Sequence, residues 1–439
     1  MRYLIQTWGC QMNTHDSEKL AGILESLGHT PAPDVPSADI LLLNTCSIRE
    51  KAEDKVFSHL GTLRPLKEKR PELIVGVCGC VAQREGEGVF RRSKLVDFVL
   101  GPRAIASLPA ILEEVTSRRS RPMDLQERED SIRFDGSGAK RAAGPRAFIT
   151  VMEGCNKTCT YCIVPTTRGK EVSKPARAVH EEALHLADSG YRELELLGQN
   201  VNAYRDGRIH LDGLLRMLQR VEGIRRLRFT TSHPAHLGDE IIRAMRECPT
   251  VCKALHLPVQ SGADSVLARM RRGYTRRRYL DRVERLRAAI PDIALSTDII
   301  VGYPEETREE FEESLLLLKQ VQFDQVYSFV YSPRPGTDAL KQEDILPRRE
   351  KELRLHELQA IQQEIQRRKN VEVIGSELEV LVDGFSPMAG RVRLRGRTES
   401  NRVVNFDGPS SLLGEFIRVR IESAGPNSLE GRRMASPGP

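Results

Sequence analysis

Cys155, Cys159 and Cys162 stand in the segment GCNKTCTYC with the spacing Cys-x3-Cys-x2-Cys. Three thiolates on one short loop can wrap one face of an iron–sulfur cube, and a four-iron cluster ordinarily takes four. Three leave one iron open to a ligand, by the logic that separates catalytic from structural zinc. The alternative is a zinc site without a nearby fourth ligand. Zinc motifs usually come as two cysteine pairs, and no second pair lies close by.

Cys10, Cys46 and Cys80 are far apart in sequence, but each ends an apolar run: IQTWGC, LLLNTC and GVCGC. Their spacings of 36 and 34 residues each fit one βαβ unit. In a parallel sheet the C-terminal strand ends share one edge, where ligands bind. The three cysteines are therefore expected to converge and hold a second cluster. The alternative is three small buried residues at strand ends. Cys78 competes with Cys80, since residues i and i+2 of a strand point to one face. Cys80 lies nearer the strand end and is the expected ligand. Cys248 and Cys252 have no third thiol nearby and read as structural.

The elements that must position these residues follow from pattern. The chain has 439 residues, 39% hydrophobic and 29% charged, with a net charge of 67 − 61 = +6. Such a chain builds two to four packed domains and is too charged for a membrane protein or a fibre. The mild basicity permits a nucleic-acid partner without demanding one. Nine cysteines in a long, charged chain argue against a disulfide scaffold and for thiolates in a reducing compartment. The N-terminal MRYLIQTWGCQMN does not read as a signal peptide, and no run of about 18 apolar residues occurs. No membrane partner is expected, and the expected location is cytoplasmic.

The expected fold class is α/β, in three parts. Residues 1–116 alternate buried-strand and amphipathic-helix patterns, which implies a doubly wound parallel sheet. Residues 117–143 are polar and read as an exposed linker. Arg118, Arg119 and Arg121 within it read as solvated charge. Residues 144–370 hold six βα units, a partial (βα)6 barrel of the TIM type, closed by a charge-dense helix from Arg348 to Lys369. Residues 371–435 turn to short alternating segments with Gly and Pro turns, a small all-β barrel.

Other residues carry weaker signals. Gln199, Asn200 and Asn202 follow the run ELELLG, so they stand at the active end of a barrel and could contact a cofactor or merely cap a helix. Asp298 and Glu306 flank a βα turn, with the same two readings. His233 and His256 also follow strands, as hydrogen-bonded structural residues or as site residues. Trp8 adjoins Cys10 and shields a cluster or fills the core. In the last domain Arg391, Arg393 and Arg395 alternate with Val392 and Leu394, which puts the arginines on one strand face. Arg397 extends that edge. Such a face suits RNA phosphates or is simply solvated.

The cysteine loop opening a βα barrel resembles that of the radical S-adenosylmethionine (SAM) enzymes. With the upstream cysteines and the β-rich end, the whole chain resembles the methylthiotransferases. The segments that carry this are TWGCQMN, LLLNTCSIRE, GVCGCVAQREGE, VMEGCNKTCTYCIVPTTRGKE, LLGQNVNAY, FTTSHP, LHLPVQSG, TDIIVGYPEET, FVYSPRPGT and GRTESNRVVNF. Tyr303-Pro304-Glu305 stands where the family pattern usually has Phe-Pro-Gly. The resemblance implies an N-terminal cluster domain, a radical SAM barrel and a terminal RNA-binding TRAM barrel. It implies two [4Fe–4S] clusters: one on Cys155, Cys159 and Cys162 that chelates SAM, and an auxiliary one on Cys10, Cys46 and Cys80.

The resemblance also implies an activity. A 5′-deoxyadenosyl radical takes hydrogen from adenine carbon 2, sulfur is inserted from the auxiliary site, and a second SAM supplies the methyl group. LLGQNVNAY and TSHP point to N6-isopentenyl-adenosine beside the anticodon of tRNA as substrate. Siblings act instead on threonylcarbamoyl-adenosine in tRNA or on an aspartate of a ribosomal protein. A non-catalytic RNA-binding protein with structural zinc is the alternative from another class. The expected partners are the tRNA anticodon stem-loop, an electron donor and a sulfur donor, with the protein itself a monomer.

Overall fold

The apolar runs near the N-terminus form the buried strands of one parallel sheet, as they must where helices cover both faces. The computed structural model describes all residues except 48–49, 119, 127–137, 142–143, 389–390 and 435–439, together with the side chains of 50–52, 387–388 and 391–392. Its first sheet comprises β1 (Arg2–Trp8), β2 (Thr30–Pro31), β3 (Ile40–Thr45), β4 (Ile74–Gly79), β5 (Phe98–Leu100) and β6 (Met123–Asp124), in the order β2-β1-β3-β4-β5-β6. Period-two alternation sorts the strands between two cores. Ile40, Leu42, Cys78 and Leu100 pack on one face, and Leu41, Leu43, Val75 and Val99 on the other.

The linker expectation needs one correction. Met123–Asp124 is an edge strand on β5, and Arg121 donates to Val96 O at 2.9 Å. A two-residue strand is too short to show a period, so sequence pattern could not find it. Arg119 and most of the remaining polar stretch lie outside the described residues.

The second unit begins with β7 (Arg146–Thr150). A small antiparallel pair, β8 (Met152–Glu153) and β9 (Val172–Ser173), flanks the cysteine loop. The strands β10 (Glu193–Leu197), β13 (Arg226–Phe229), β14 (Ala254–His256), β15 (Ala294–Val301) and β16 (Gln325–Val330) complete the six expected, with β11 (Arg205–Asp206) and β12 (Ile209–His210) forming a minor hairpin. They form two parallel sheets, β13-β10-β7 and β14-β15-β16, around one continuous core. A helix, Arg348–Val371, then runs to the last unit.

That unit is a closed barrel of β17 (Glu377–Met388), β18 (Arg391–Thr398), β19 (Val403–Phe406), β20 (Phe416–Ala424) and β21 (Leu429–Arg433), ordered β17-β18-β19-β21-β20. β21 was not foreseen, because LEGRR carries one large apolar residue and no alternation. The small barrel docks on the N-terminal ends of β7 and β13. Arg228 donates to the carbonyls of Glu399 (2.8 Å) and Thr398 (2.7 Å), and Arg226 to that of Arg397 (2.8 Å). The C-terminal ends of the barrel strands face the other way, toward the N-terminal domain, where His15 meets Thr150 at the end of β7 at 2.7 Å.

Candidate functional site

Cys10, Cys46 and Cys80 each sit immediately after the turn or last residue of β1, β3 and β4, which are neighbours in the sheet. The Cys46 amide donates to Trp8 O at 2.9 Å, tying two of these strand ends together. Two glycines allow the approach. A Cβ on Gly9 would fall 2.4 Å from Asn13 Oδ1 and 2.8 Å from Cys46 Cβ. Gly79 has φ +86°, and a Cβ there would fall 2.3 Å from Asn44 Oδ1. Asn44 in turn donates to Asn13 O (2.9 Å) and Ser17 Oγ (2.8 Å), so buried amides brace the strand ends.

The thiols meet. A hydrogen bond shared with Cys46 holds the Cys10 thiol down at about 6, against its burial and with help from the Arg168 charge. Arg168 Nε donates to Cys80 Sγ at 3.4 Å. Burial pushes both the Cys78 and Cys80 thiols up, but Cys78 packs into the apolar core on the strand while Cys80 opens the next helix beside Arg168, so Cys80 is the thiol at the edge.

The second triad is local. Gly154 has φ +78°, and a Cβ there would lie 2.1 Å from Lys170 O. The Cys155 amide donates to Gly169 O (3.2 Å) and the Cys162 amide to Cys159 O (3.0 Å). Thr160 anchors the loop to Arg269 O (3.0 Å) and Tyr303 OH (2.7 Å). Buried Arg272 donates to Cys159 Sγ (3.4 Å), Tyr161 OH (3.3 Å) and Pro258 O (2.8 Å). Burial pushes Cys162 up to about 12, a thiol that ionises readily only against a bound metal.

All six are free thiols, and an arginine faces a sulfur of each triad. Among the described residues, no three His, Cys, Asp or Glu side chains are grouped to hold a metal ion. A single zinc would need its thiolates within one tetrahedron, whereas a four-iron cube puts each on a separate iron. The all-sulfur donor sets fit iron–sulfur clusters.

The remaining candidates are placed as follows. Gln199 Oε1 accepts from the Gly154 amide (2.5 Å), and Asn200 Nδ2 meets His236 Nδ1 (3.1 Å). Asn202 exchanges hydrogen bonds with the backbone of His233 (2.9 and 2.8 Å). These amides brace the loops at the mouth, and only Asn200 Oδ1 is buried without a partner among the described residues. His233 caps a short 3-10 turn through Nδ1, while its Nε2 is buried without a partner among the described residues. Asp298 Oδ2 lies 3.4 Å from His256 Nε2 at the mouth. Glu306 is buried and accepts from the Gly302 amide (2.7 Å) beside Arg354; burial pushes it up to about 7, and it anchors the long helix. Glu305 takes φ +62° where the family pattern favours glycine, a conformation that costs a side chain about 1 kcal/mol.

In the small barrel the side chain of Arg391 lies outside the described residues. Arg393 pairs with Asp407 and Glu430, while Arg395 and Arg397 share Asp383. The arginine face exists, but carboxylates of this chain already meet its charge. Sequence reading also missed Arg168, Asp16 and Arg272. Nothing in a pattern shows that an arginine six residues beyond a cysteine loop folds back onto another domain.

A partial barrel with three cysteines at its mouth, joined to a parallel sheet with three more on its edge, defines a two-site radical SAM enzyme. The comparisons agree. The radical SAM superfamily matches residues 149–318, the uncharacterized protein family UPF0004 matches 2–101, and the TRAM domain matches 372–433. A radical SAM methyltransferase from Kitasatospora setae, TsrM, shares the fold with TM-score 0.54 at 14% identity, over 77% of this chain and 76% of that one. Proteins named tRNA-2-methylthio-N(6)-dimethylallyladenosine synthase are similar over 98% of this chain. That of Methylococcus capsulatus is 48% identical with 94% of its length covered, and that of Legionella pneumophila (strain Corby) 47% with 97% covered. The chain belongs to the tRNA-2-methylthio-N(6)-dimethylallyladenosine synthase family.

Proposed function

We propose that the protein is a tRNA methylthiotransferase that converts N6-isopentenyl-adenosine beside the anticodon to its 2-methylthio form. Cys155, Cys159 and Cys162 hold the cluster that binds SAM, and Cys10, Cys46 and Cys80 the auxiliary cluster. When bound, the two clusters and SAM supply the one-electron chemistry, the sulfur and the methyl group that no side chain here could supply. The chain's own residues position and enclose. Arg272 fixes Cys159 from inside the barrel, and Gln199 holds the backbone of Gly154 against the first cysteine. Asn200 Oδ1, buried without a partner among the described residues, and the Asp298 carboxylate beside His256 are the acceptors at the mouth for SAM. Sulfur taken from the auxiliary cluster must be replaced and the electrons consumed supplied from outside, so the reaction needs a sulfur donor and a reductant. No helix among the described residues is long and apolar enough to cross a membrane, and the reading includes a cytoplasmic setting.

The observation that carries the proposal is one short segment that touches a cysteine of each triad (Arg168 at Cys80, Gly169 at Cys155). tRNA docks on the small barrel. There Arg418 and Arg432 keep 72% and 74% of their side chains exposed, against 17% for Arg393, and Arg420 lies on the same outer face of β20. Phosphate contact therefore falls to these residues more than to Arg393, Arg395 and Arg397.

Mass analysis of tRNA nucleosides tests the function. Cells lacking the protein should accumulate isopentenyl-adenosine, and the cloned chain should restore the 2-methylthio form. Restoration of a modified threonylcarbamoyl-adenosine instead would select the sibling reaction. Replacing Arg418, Arg420 and Arg432 with Ser should lower the salt slope of tRNA binding by about 0.7–0.9 per lost phosphate contact.

A further inference from the structure

The segment from Arg168 to Glu171 lies where the two halves of the molecule meet. Its four residues are gripped from both sides. Arg168, 2% exposed, ends the helix Val164–Arg168 of the barrel and reaches into the N-terminal domain. Its Nη2 donates to Asp16 Oδ2 at 2.6 Å and its Nε to Cys80 Sγ at 3.4 Å. Gly169 O accepts from the Cys155 amide at 3.2 Å. Lys170 O accepts from Arg103 of the N-terminal domain at 2.5 Å, and the Glu171 amide donates to Asn156 Oδ1 at 3.0 Å.

A guanidinium buried this deeply is costly unless it is paired and hydrogen-bonded. Asp16, 1% exposed, supplies the charge, and it rides on the helix Gln11–Ser26 that Cys10 caps. Yet Nη1 of Arg168 and Oδ1 of Asp16 are both buried without a partner among the described residues. A pair serving only to pin two domains would use both prongs of each fork, since bidentate geometry is the strong one. Here the guanidinium is instead turned so that Nε meets a cysteine sulfur.

We propose that Arg168 is a positioning residue of the auxiliary site: delivered by the barrel and held by Asp16, it donates to the Cys80 sulfur and raises the reduction potential of the cluster there. The inference rests on the reading of Cys10, Cys46 and Cys80 as cluster ligands. Its physical basis is general. A donor and a positive charge at a ligand sulfur stabilise the electron added on reduction, and such outer contacts set iron–sulfur potentials. Because the donor comes from the other domain, the potential of one site depends on correct docking of the half that carries the other.

The test is a redox titration followed by electron paramagnetic resonance on the anaerobically reconstituted full-length chain. A background with Cys155, Cys159 and Cys162 changed to Ala isolates the auxiliary cluster. In it, Arg168→Met should shift the midpoint to more negative potential. Arg168→Lys should recover part of the shift, restoring charge without the Nε contact. Asp16→Asn keeps an amide oxygen to accept from Nη2 while removing a negative charge, so it should move the midpoint the other way. In the converse background, with Cys10, Cys46 and Cys80 changed to Ala, Arg168→Met should leave the barrel cluster's midpoint in place.

If Arg168→Met sheds auxiliary iron while its thermal unfolding matches the parent, and Arg168→Lys regains the iron, the assignment also stands. It is overturned if Arg168→Met binds the auxiliary cluster with an unchanged midpoint. It is overturned equally if Arg168→Met and Asp16→Asn shift in the same direction, or if iron loss merely follows lost folding. If the background lacking Cys155, Cys159 and Cys162 binds no iron with Arg168 intact, the reading of Cys10, Cys46 and Cys80 as a triad is itself overturned, a distinct result.

Discussion

The barrel loop gathers Cys155, Cys159 and Cys162 within eight consecutive residues, whereas Cys10, Cys46 and Cys80 come from three strands that meet only because β1, β3 and β4 are neighbours. The loop is held mostly by its own surroundings: Thr160 on Tyr303 and Arg269, and Arg272 on Cys159. The sheet-edge triad depends on strand register, on Gly9 and Gly79 with no room for a Cβ, and on an arginine sent from the other domain. A contiguous site is thus protected by local geometry, and an assembled one is exposed to every change that moves a strand end.

The largest effect should come from removing the local triad outright. Changing Cys155, Cys159 and Cys162 together to Ala should abolish SAM cleavage and leave about half the iron, since one of two clusters is lost. Iron analysis and a SAM-cleavage assay on the reduced protein check this. Full iron in that variant would break the comparison at its root.

Next comes a change that touches no cysteine. Gly79→Ala must place a Cβ 2.3 Å from Asn44 Oδ1 at φ +86°, a strain of about 1–3 kcal/mol. The sheet should survive, but the auxiliary triad should open and its share of iron fall, with the barrel cluster retained. Equal loss from both clusters would mean that the two sites are not built independently.

The neighbouring thiols give a finer test. Cys80→Ala should remove auxiliary iron with little change in stability. Cys78→Ala should keep the iron and cost about 1 kcal/mol, because Cys78 is core packing. The reverse result would move the third ligand to Cys78.

The same contrast explains what could be read from sequence. The contiguous triad is visible as spacing alone. The assembled triad was readable because each cysteine closes an apolar run one βαβ unit from the next, and parallel topology then dictates a shared edge. The six barrel strands and four of the five small-barrel strands also show as patterns. β6 and β21 do not, being too short or too polar for periodicity to register. Arg168, Asp16 and Arg272 escaped for another reason. Their roles come from contacts between residues 88 and 152 positions apart in two cases and 113 in the third, which no local pattern encodes. The arginines of β18 show the converse. Their alternation was legible, but the carboxylates that offset them, Asp383, Asp407 and Glu430, sit on other strands or in a loop.

The smallest effect is also the most selective. Trp8 is the only tryptophan in the chain, and it lies two residues before Cys10. Its ring meets His59 edge-on at 5.5 Å, and its carbonyl accepts from the Cys46 amide at 2.9 Å. It is therefore tied by backbone to one cysteine of the assembled triad and by sequence to another. An iron–sulfur cluster absorbs across the range in which indole emits, so a cluster at this edge should quench Trp8 strongly, and one in the barrel mouth should do so less. Reconstitution with iron and sulfide should lower the emission of the parent protein and of the Cys155, Cys159, Cys162 triple-Ala variant alike. The Cys10, Cys46, Cys80 triple-Ala variant should keep most of its emission, although its barrel cluster forms. If instead emission follows the barrel cluster, Trp8 lies on the wrong side of the sheet edge to shield the auxiliary site, and its packing against His59 is core structure alone.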